Sequence, residues 1–491
     1  MKSSSDSIAW ISAKDLLQSH KSGELSKGEI IDASLARVNE LDNAGPCLRA
    51  VISQLKEYVP VRGRNLPEGE LNGLPILVKD NIDTSDYPTT AGSLALEGSH
   101  PSQNAPIIQA LVELGATVIG KTNLSEWSNF RGKNSISGWS AIGGQTLNPY
   151  VLDRSPGGSS SGSAVSVAAG YVPVALGTET DGSIICPAAV NGVVGFKPTH
   201  GVLPTKGIIP ISSSQDTVGI FARCISDVAF IFGNLLDVLG RSALYGGSFS
   251  NEYEKYKKLQ TAVRIGIPRI GFFGYSVKLD QVFEEAINAI SASGVEIVDE
   301  VDLKFATDFS IGLDDEMLVF LWELNRELNK YLHDRNVEGV RSISDLIGFN
   351  QRHAKEELAY FGQEHFEKAC ALNHEMYEQY QQSQTNNIRR TETAILKTLT
   401  LAEVDVLCVP SMSPSWVIDR VNGDAIAGSG YSVAAVAGVC SINVPIGLVG
   451  ELPVGMTLIA SYHEDAKLLA IAERLESILS VRLRPKFFKS I

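Results

Sequence analysis

Residues 155–170, Ser-Pro-Gly-Gly-Ser-Ser-Ser-Gly-Ser-Ala-Val-Ser-Val-Ala-Ala-Gly, constrain the fold more than any other stretch. Glycines at 157, 158 and 162 open backbone conformations closed to other residues. Ser159, Ser160 and Ser161 place hydroxyls and amides at the start of a helix, and the small apolar run 163–169 reads as that helix, buried. A linker does not run straight into buried helix, so this loop is held against a core and can carry reactive groups. A second such stretch follows in Gly177-Thr-Glu-Thr-Asp-Gly-Ser-Ile-Ile-Cys-Pro187, where Ser183 comes after an Asp-Gly pair and before another apolar run.

The chain around these loops alternates between strand and helix. Residues 74–80 read as a continuous apolar strand ending on a charged Lys-Asp-Asn turn. An apolar-periodic helix, with Ile107, Ile108, Leu111 and Leu114 on one face, leads into a strand at 117–122, a βαβ rhythm. Short buried strands follow at 172–177 and 192–196, a helix at 226–239, and a polar connection at 245–258. Residues 263–268, 279–292 and 295–298 repeat the strand–helix–strand unit. Strand character returns at 404–410 and 454–459, with a small-residue helix start at 428–438 between them and an amphipathic helix at 465–479 after them. The first sixty residues carry two capping signals, Ser12-Ala-Lys-Asp15 and Ser26-Lys-Gly-Glu29, each before a helical pattern.

This is an α/β pattern with a large mixed sheet. Residues 1–70 are expected as an N-terminal helical arm packed on a catalytic domain of 71–491. Residues 314–399, rich in charge, Gln and Tyr and almost free of Gly and Pro, are expected as long surface helices forming a cap or insertion.

A net charge of −14 weighs against nucleic acid as a partner, because phosphate backbones are bound by surplus Lys and Arg. The six cysteines, at 47, 186, 224, 370, 408 and 440, show no metal or Cys-x-x-Cys spacing and read as reduced, mostly core residues. The N-terminus, Met1-Lys-Ser-Ser-Ser-Asp6, lacks an apolar leader, and no apolar run reaches the ~18 residues of a membrane span. A cytoplasmic enzyme without membrane contact is the expectation.

Histidine is the first general base to test, yet none of the eight stands beside a serine or cysteine motif, which leaves a Ser-His-Asp triad unsupported. Gly158-Ser-Ser-Ser-Gly162 has the outer glycines of a nucleophile elbow without its preceding strand. A phosphate loop would need Gly-Lys-Ser/Thr, and Gly162 is followed by Ser163-Ala164. Ser-Lys chemistry remains. A lysine serves as base when burial lowers its pKa from about 10.4 towards 7, at roughly 4–5 kcal/mol. Lys79, ending an apolar strand, is the best-placed candidate. The residues alone leave a second reading open, an ion pair with Asp80 or Asp83.

Four segments in order, Gly73-Leu-Pro-Ile-Leu-Val-Lys-Asp-Asn81, Gly120-Lys-Thr-Asn123, Pro156-Gly-Gly-Ser-Ser-Ser-Gly-Ser163 and Gly177-Thr-Glu-Thr-Asp-Gly-Ser183, resemble the amidase signature family over essentially the whole chain. Residues 124–131, 137–140, 185–189 and 344–351 resemble its bacterial peptide-amidase branch in particular. The resemblance implies the amidase-signature fold, a mixed sheet covered on both faces by helices. It implies an amidohydrolase that needs no metal or cofactor, with Ser183 as nucleophile, Ser159 as bridging serine on a cis peptide bond and Lys79 as base. Backbone amides of Thr180, Asp181, Gly182 and Ser183 would hold the oxyanion. Trp127, Asn129, Phe130, Ser160 and Tyr431 are candidates for the substrate pocket.

Ser161 and Asp181 stand where the family often has glycine, and with Glu179 they mark the substrate class. Asp216 and Arg223 are expected as a structural ion pair near the site. The implied reaction is deamidation of C-terminal peptide amides, with no obligate partner subunit. The alternatives are the glutaminase component of a tRNA-dependent amidotransferase, an amidase for fatty, aryl or indoleacetic amides, or a catalytically dead binding protein on the same scaffold.

Overall fold

The computed structural model describes residues 8–55, 69–259, 263–303 and 305–491. Residues 1–7 and 56–68 of the expected arm lie outside the described residues.

In chain order the strands are β1 (Val51–Gln54), β2 (Pro75–Lys79), β3 (Thr117–Thr122), the short pair β4 (Trp139–Ser140) and β5 (Gly144–Gln145), β6 (Val174–Glu179), β7 (Val194–Lys197), β8 (Thr217–Ala222), β9 (Arg264–Ile267), β10 (Glu296–Asp299), β11 (Val406–Pro410), β12 (Ser441–Val449) and β13 (Leu452–Ile459). All but β4 and β5 join one mixed eleven-stranded sheet in the order β1-β3-β2-β6-β8-β7-β12-β13-β11-β9-β10. β2 runs parallel to both β3 and β6, whereas β8 is antiparallel to β6.

Side chains on a strand alternate between faces, and β2 distributes itself accordingly. Ile76 and Val78 enter one core, which also takes the helices α3 (Pro106–Glu113) and α6 (Ile225–Val238). Leu77 enters the opposite core, shared with α2 (Lys27–Leu41) and α4 (Ser161–Ala168). Lys79 continues the face of Leu77 and therefore points to the side where α4 begins. All eight residues of α4 are buried. Their small side chains permit very close approach: a Cβ at Gly162 would lie 2.2 Å from Ala50 O.

Both N-terminal capping signals form. Ser12 caps α1 (Ala13–Lys21), and Ser26 with Glu29 makes a reciprocal capping box on α2. Helices α9 (Phe305–Arg335), α10 (Ile343–Arg352), α11 (Ala354–Glu357), α12 (Glu364–Ala371) and α13 (Tyr377–Leu401) occupy the stretch expected as cap or insertion. They are not purely surface helices: Leu321, Leu324, Leu328 and Phe366 share an apolar cluster with Trp127 and Phe130.

Three expectations need correction. Residues 245–258 are not a connection but contain helix α7 (Phe249–Lys258). Ser248 caps it, and Phe249 and Tyr253, one turn apart, are its buried stripe beneath a polar face, which is why local polarity hid it. The sequence reading also has no strand at 217–222 or 441–449. β8 is a fully buried apolar run between charged Asp216 and Arg223. β12 contains Pro445 and Gly447, normally strand breakers, and a register shift between them absorbs both.

Three cysteines, Cys186, Cys408 and Cys440, are buried, while Cys47 and Cys370 are exposed. No helix among the described residues is long and apolar enough to cross a membrane. Helix α8 (Val277–Ala292) joins β9 to β10, and α14 (Ser432–Ala437) and α15 (Asp465–Leu479) are the last two helices.

Candidate active site

Lys79, last residue of β2, is completely buried. Its Nζ donates to Ser159 Oγ at 2.7 Å and to Thr178 Oγ1 at 2.9 Å. Neither Asp80 nor Asp83 pairs with it: Asp80 faces Lys121 at 3.3 Å, and Asp83 is ion-paired with Arg335. Burial therefore acts on the amine without a carboxylate in contact. It pushes the Lys79 pKa down to about 7, against the weaker pull of Asp216 and Glu179.

The loop before α4 brings Ser159 to that amine. The Gly158–Ser159 peptide is cis. Ser159 O accepts from Ser125 N at 3.0 Å, and Ser160 N donates to Ser183 O at 3.3 Å, which ties this loop to the turn after β6. Ser160 is completely buried, and its Oγ donates to Thr178 O at 3.0 Å and accepts from Thr178 N at 3.2 Å, bracing the loop against β6.

Ser183 sits in the 180–183 turn with 8% of its surface exposed. Gly182 adopts φ +77°, a left-handed conformation costly for other residues, and a Cβ there would strike the Tyr431 ring at 2.3 Å. Glu179 Oε2 accepts from Ile184 N at 2.7 Å and Ile185 N at 3.0 Å, turning the chain into α5 (Ile185–Val190). The amides of Asp181 and Ser183 donate to no atom of the described residues and are free for a developing negative charge. Ser183 Oγ likewise has no hydrogen-bond partner among the described residues, so the contact between the two serines is not made in this state. Such bonds commonly tighten only with substrate bound.

Asp181 Oδ2 accepts from Ser432 Oγ at 2.9 Å, while its buried Oδ1 has no hydrogen-bond partner among the described residues. Burial, then Glu316 and Glu179, push its carboxyl well above the usual range. Glu316, on α9, accepts from Gln215 Nε2 at 3.0 Å, and the same amide group donates to Thr180 O at 3.2 Å. The helices beyond residue 305 thus brace the 180–183 turn.

Of the other pocket candidates, Trp127 and Phe130 are buried. Trp127 packs edge-on to Phe366 at 5.4 Å, and Phe130 stacks on His365 at 4.8 Å. Trp127, Ser128 and Asn129 all take positive φ, three consecutive non-glycine residues in the left-handed region. Their segment is anchored by buried Arg131, ion-paired with Glu126 and Glu357. Backbone strain of this kind gathers where a site fixes geometry. Asn129 Nδ2 lies 3.1 Å from a Cβ built on Gly158, beside the serine loop, and Tyr431 lies against Gly182.

Asp216 and Arg223 do not pair. Asp216 accepts from Thr180 Oγ1 at 2.6 Å and from the amides of Ile211 and Ser212, and burial raises it to about 7. Arg223 is at the far end of β8, bonded to backbone carbonyls of Ile11, Val167 and Val172. The sequence reading missed Thr178 and Asn81. Thr178 Oγ1 accepts from both Lys79 Nζ and Asn81 Nδ2, the latter at 2.9 Å. Both residues lie inside the quoted segments, but a neutral hydroxyl and an amide give no local sign that they hold a lysine. Among the described residues no cluster of three or more His, Cys, Asp or Glu could hold a metal ion.

The family model for Amidase matches residues 29–469. A probable amidase of Arabidopsis thaliana is 33% identical over 99% of this chain and 93% of its own length. The A-type subunit of glutamyl-tRNA(Gln) amidotransferase from Symbiobacterium thermophilum is 31% identical over 94% of this chain and 95% of its own. The crystal structure of the native peptide amidase from Stenotrophomonas maltophilia matches with a TM-score of 0.88 at 38% identity, covering 97% of this chain and 99% of that one. Fold and relatives make this chain an amide hydrolase. It belongs to the amidase signature family.

Proposed function

We propose that the chain hydrolyses C-terminal amides of peptides to the free acid and ammonia, through an acyl intermediate on Ser183. The observation that carries the mechanism is the completely buried Lys79 amine, 2.7 Å from Ser159 Oγ and depressed to about 7. Neutral Lys79 takes the proton of Ser159 as Ser159 takes that of Ser183, and Ser183 Oγ attacks the amide carbonyl. The free amides of the 180–183 turn hold the oxyanion, each such donor being worth about 3–4 kcal/mol in comparable sites. The relay returns the proton to the leaving nitrogen, ammonia departs, and water opens the ester by the same route reversed. No cofactor enters these steps.

The choice of a peptide amide rests on the similarity to the Stenotrophomonas peptide amidase across nearly the full length of both chains. The chain is proposed to act without a partner subunit. Release of ammonia from a peptide amide, from glutamine and from a short aliphatic amide tests the substrate. Highest kcat/KM on the peptide amide is expected, and preference for glutamine would reassign the chain to the amidotransferase role that its relatives also include. A fluorophosphonate probe should label Ser183, and folded protein left unlabelled there would overturn the mechanism.

A further inference from the structure

Far from the serine and lysine groups, a cavity of about 780 Å³ opens among Trp10, Ser12, Arg223, Ser226 and Arg484. It lies at the opposite end of the sheet from the active site. Glu179, at the active-site end, is in register with Thr217 at the start of β8, while Arg223 follows Ala222 at its finish. Five steps of strand separate these ends by about 17 Å.

Three guanidinium groups converge on the Trp10 indole, with Arg484 at 4.6 Å, Arg223 at 5.8 Å and Arg37 at 5.9 Å from the ring. Only Arg37 of the three has a carboxylate, Glu40 at 3.5 Å. Among the described residues, Arg223 and Arg484 form no ion pair. Arg223 reaches only carbonyls; burial lowers its pKa to about 10, Asp227 opposes this, and Arg484 adds a smaller repulsion.

The carboxylates around the cavity are committed elsewhere. Asp15 takes the Ser12 hydroxyl and Asp227 caps α1 through the amides of Ala13 and Lys14. Glu473 is held by Tyr253 and Lys257, and Glu476 by Ile225 N and Arg482. The fourteen-residue helix α6 also starts here; Cys224 at its N-cap makes no side-chain cap, and its first amide, Ile225 N, is taken by Glu476. The helix start adds the positive end of a helix dipole to two unpaired guanidinium groups. In a chain of net charge −14, a cavity lined by Arg223, Arg482 and Arg484 is a local construction, and the three carboxylates that share its lining, Asp15, Glu473 and Glu476, each already hold a partner.

We propose that this cavity binds a small molecule through a phosphate group, held by the forked donors of Arg223 and Arg484 beside Trp10. Guanidinium forks match phosphate oxygens in pairs. The volume lies within the range of small-ligand sites and exceeds what a bare ion fills. The site is independent of the proposed amide substrate.

Thermal unfolding of the full chain in inorganic pyrophosphate, against potassium chloride at equal ionic strength, tests it. The expected result is a saturable rise of about 2–4 °C. The rise should vanish in Arg484→Gln, whose side chain is exposed and whose loss leaves amide hydrolysis unchanged. It should persist in Lys489→Gln as a matched loss of surface charge. No rise beyond the chloride control, or an equal rise in Arg484→Gln, would reduce the cluster to a structural tie between the chain's two ends and overturn the proposal.

Discussion

Two lysines sit side by side in the sheet and have opposite fates. Lys79 in β2 and Lys121 in β3 are both completely buried, and their strands pair so that Lys121 lies opposite Val78, one residue out of step with Lys79. The offset sends them to opposite faces. Lys121 forms an ion pair with Asp80 at 3.3 Å, and its three protons go to Thr89 Oγ1 and the carbonyls of Ile82 and Pro88. Lys79 meets only hydroxyls and one carbonyl. Burial lowers both pKa values, but only Lys121 has an anion in contact to oppose it. A buried ammonium beside a carboxylate is held charged, and one without gives up its proton more readily, as the proposed base must. The difference is set by a single register step.

Removing each amine separates the two roles. Lys79→Met should lower kcat by roughly four orders of magnitude, the scale seen when one member of a relay is deleted. It should also be more stable than wild type at pH 6. The folded wild type releases its proton near pH 7 and the unfolded chain near 10.5, so between these values the unfolded state binds more protons and wild-type stability climbs with pH. Below pH 7 the whole cost of the buried charge is present. The stability advantage of Lys79→Met should therefore shrink by roughly 4 kcal/mol between pH 7 and pH 10, read by urea unfolding at each pH. A variant less stable than wild type at every pH would remove the basis for a depressed amine.

Lys121→Met should do the reverse. It leaves Asp80 buried beside no cation, which costs about 3–5 kcal/mol of stability. Asp80 also accepts from the Thr90 hydroxyl and amide, so the loop after β2 loosens with it. Fluorophosphonate labelling per folded molecule at low temperature should survive. Loss of labelling in protein shown to be folded would put Lys121 in the reaction and end the contrast.

How much of this contrast was legible beforehand follows from the same strands. The serine loop, the 177–183 turn and the strand ending at Lys79 were readable because glycine, serine and apolar runs announce close packing locally. Which lysine is paired was not, because it depends on which face each side chain takes, and a bulge at Ile76/Leu77 sets that register. The Asp216–Arg223 pairing failed for a related reason: the residues between them are a strand, which carries the two charges to opposite ends of the sheet. Helix α7 and strand β12 were hidden where composition contradicted the outcome, a polar face over a narrow buried stripe and a proline absorbed by a bulge. Thr178, whose hydroxyl holds the amine, carries no compositional signal at all.

The pH profile is the next most sensitive measure. With neutral Lys79 as base, kcat/KM on a peptide amide should fall tenfold per pH unit below about 7 and level off above it. A profile flat from pH 5 to 8 would mean that the amine is already neutral throughout or takes no proton.

The smallest effect should come from Thr178→Val, which keeps the shape of the side chain and removes the oxygen that accepts from Lys79 Nζ at 2.9 Å and Asn81 Nδ2 at 2.9 Å. One hydrogen bond is worth about 1 kcal/mol, so kcat should drop about three- to tenfold. The direction of the pH inflexion carries more information than the size of the drop. A hydroxyl acceptor stabilises the ammonium more than the amine, so its loss should move the inflexion below about 7, the opposite of what a restored carboxylate would do. If Thr178 only fills space, kcat or folded yield falls with the inflexion unmoved. If it sets the proton affinity of the base, the inflexion shifts downward and Thr178→Ser, which keeps the oxygen, returns it to the wild-type position.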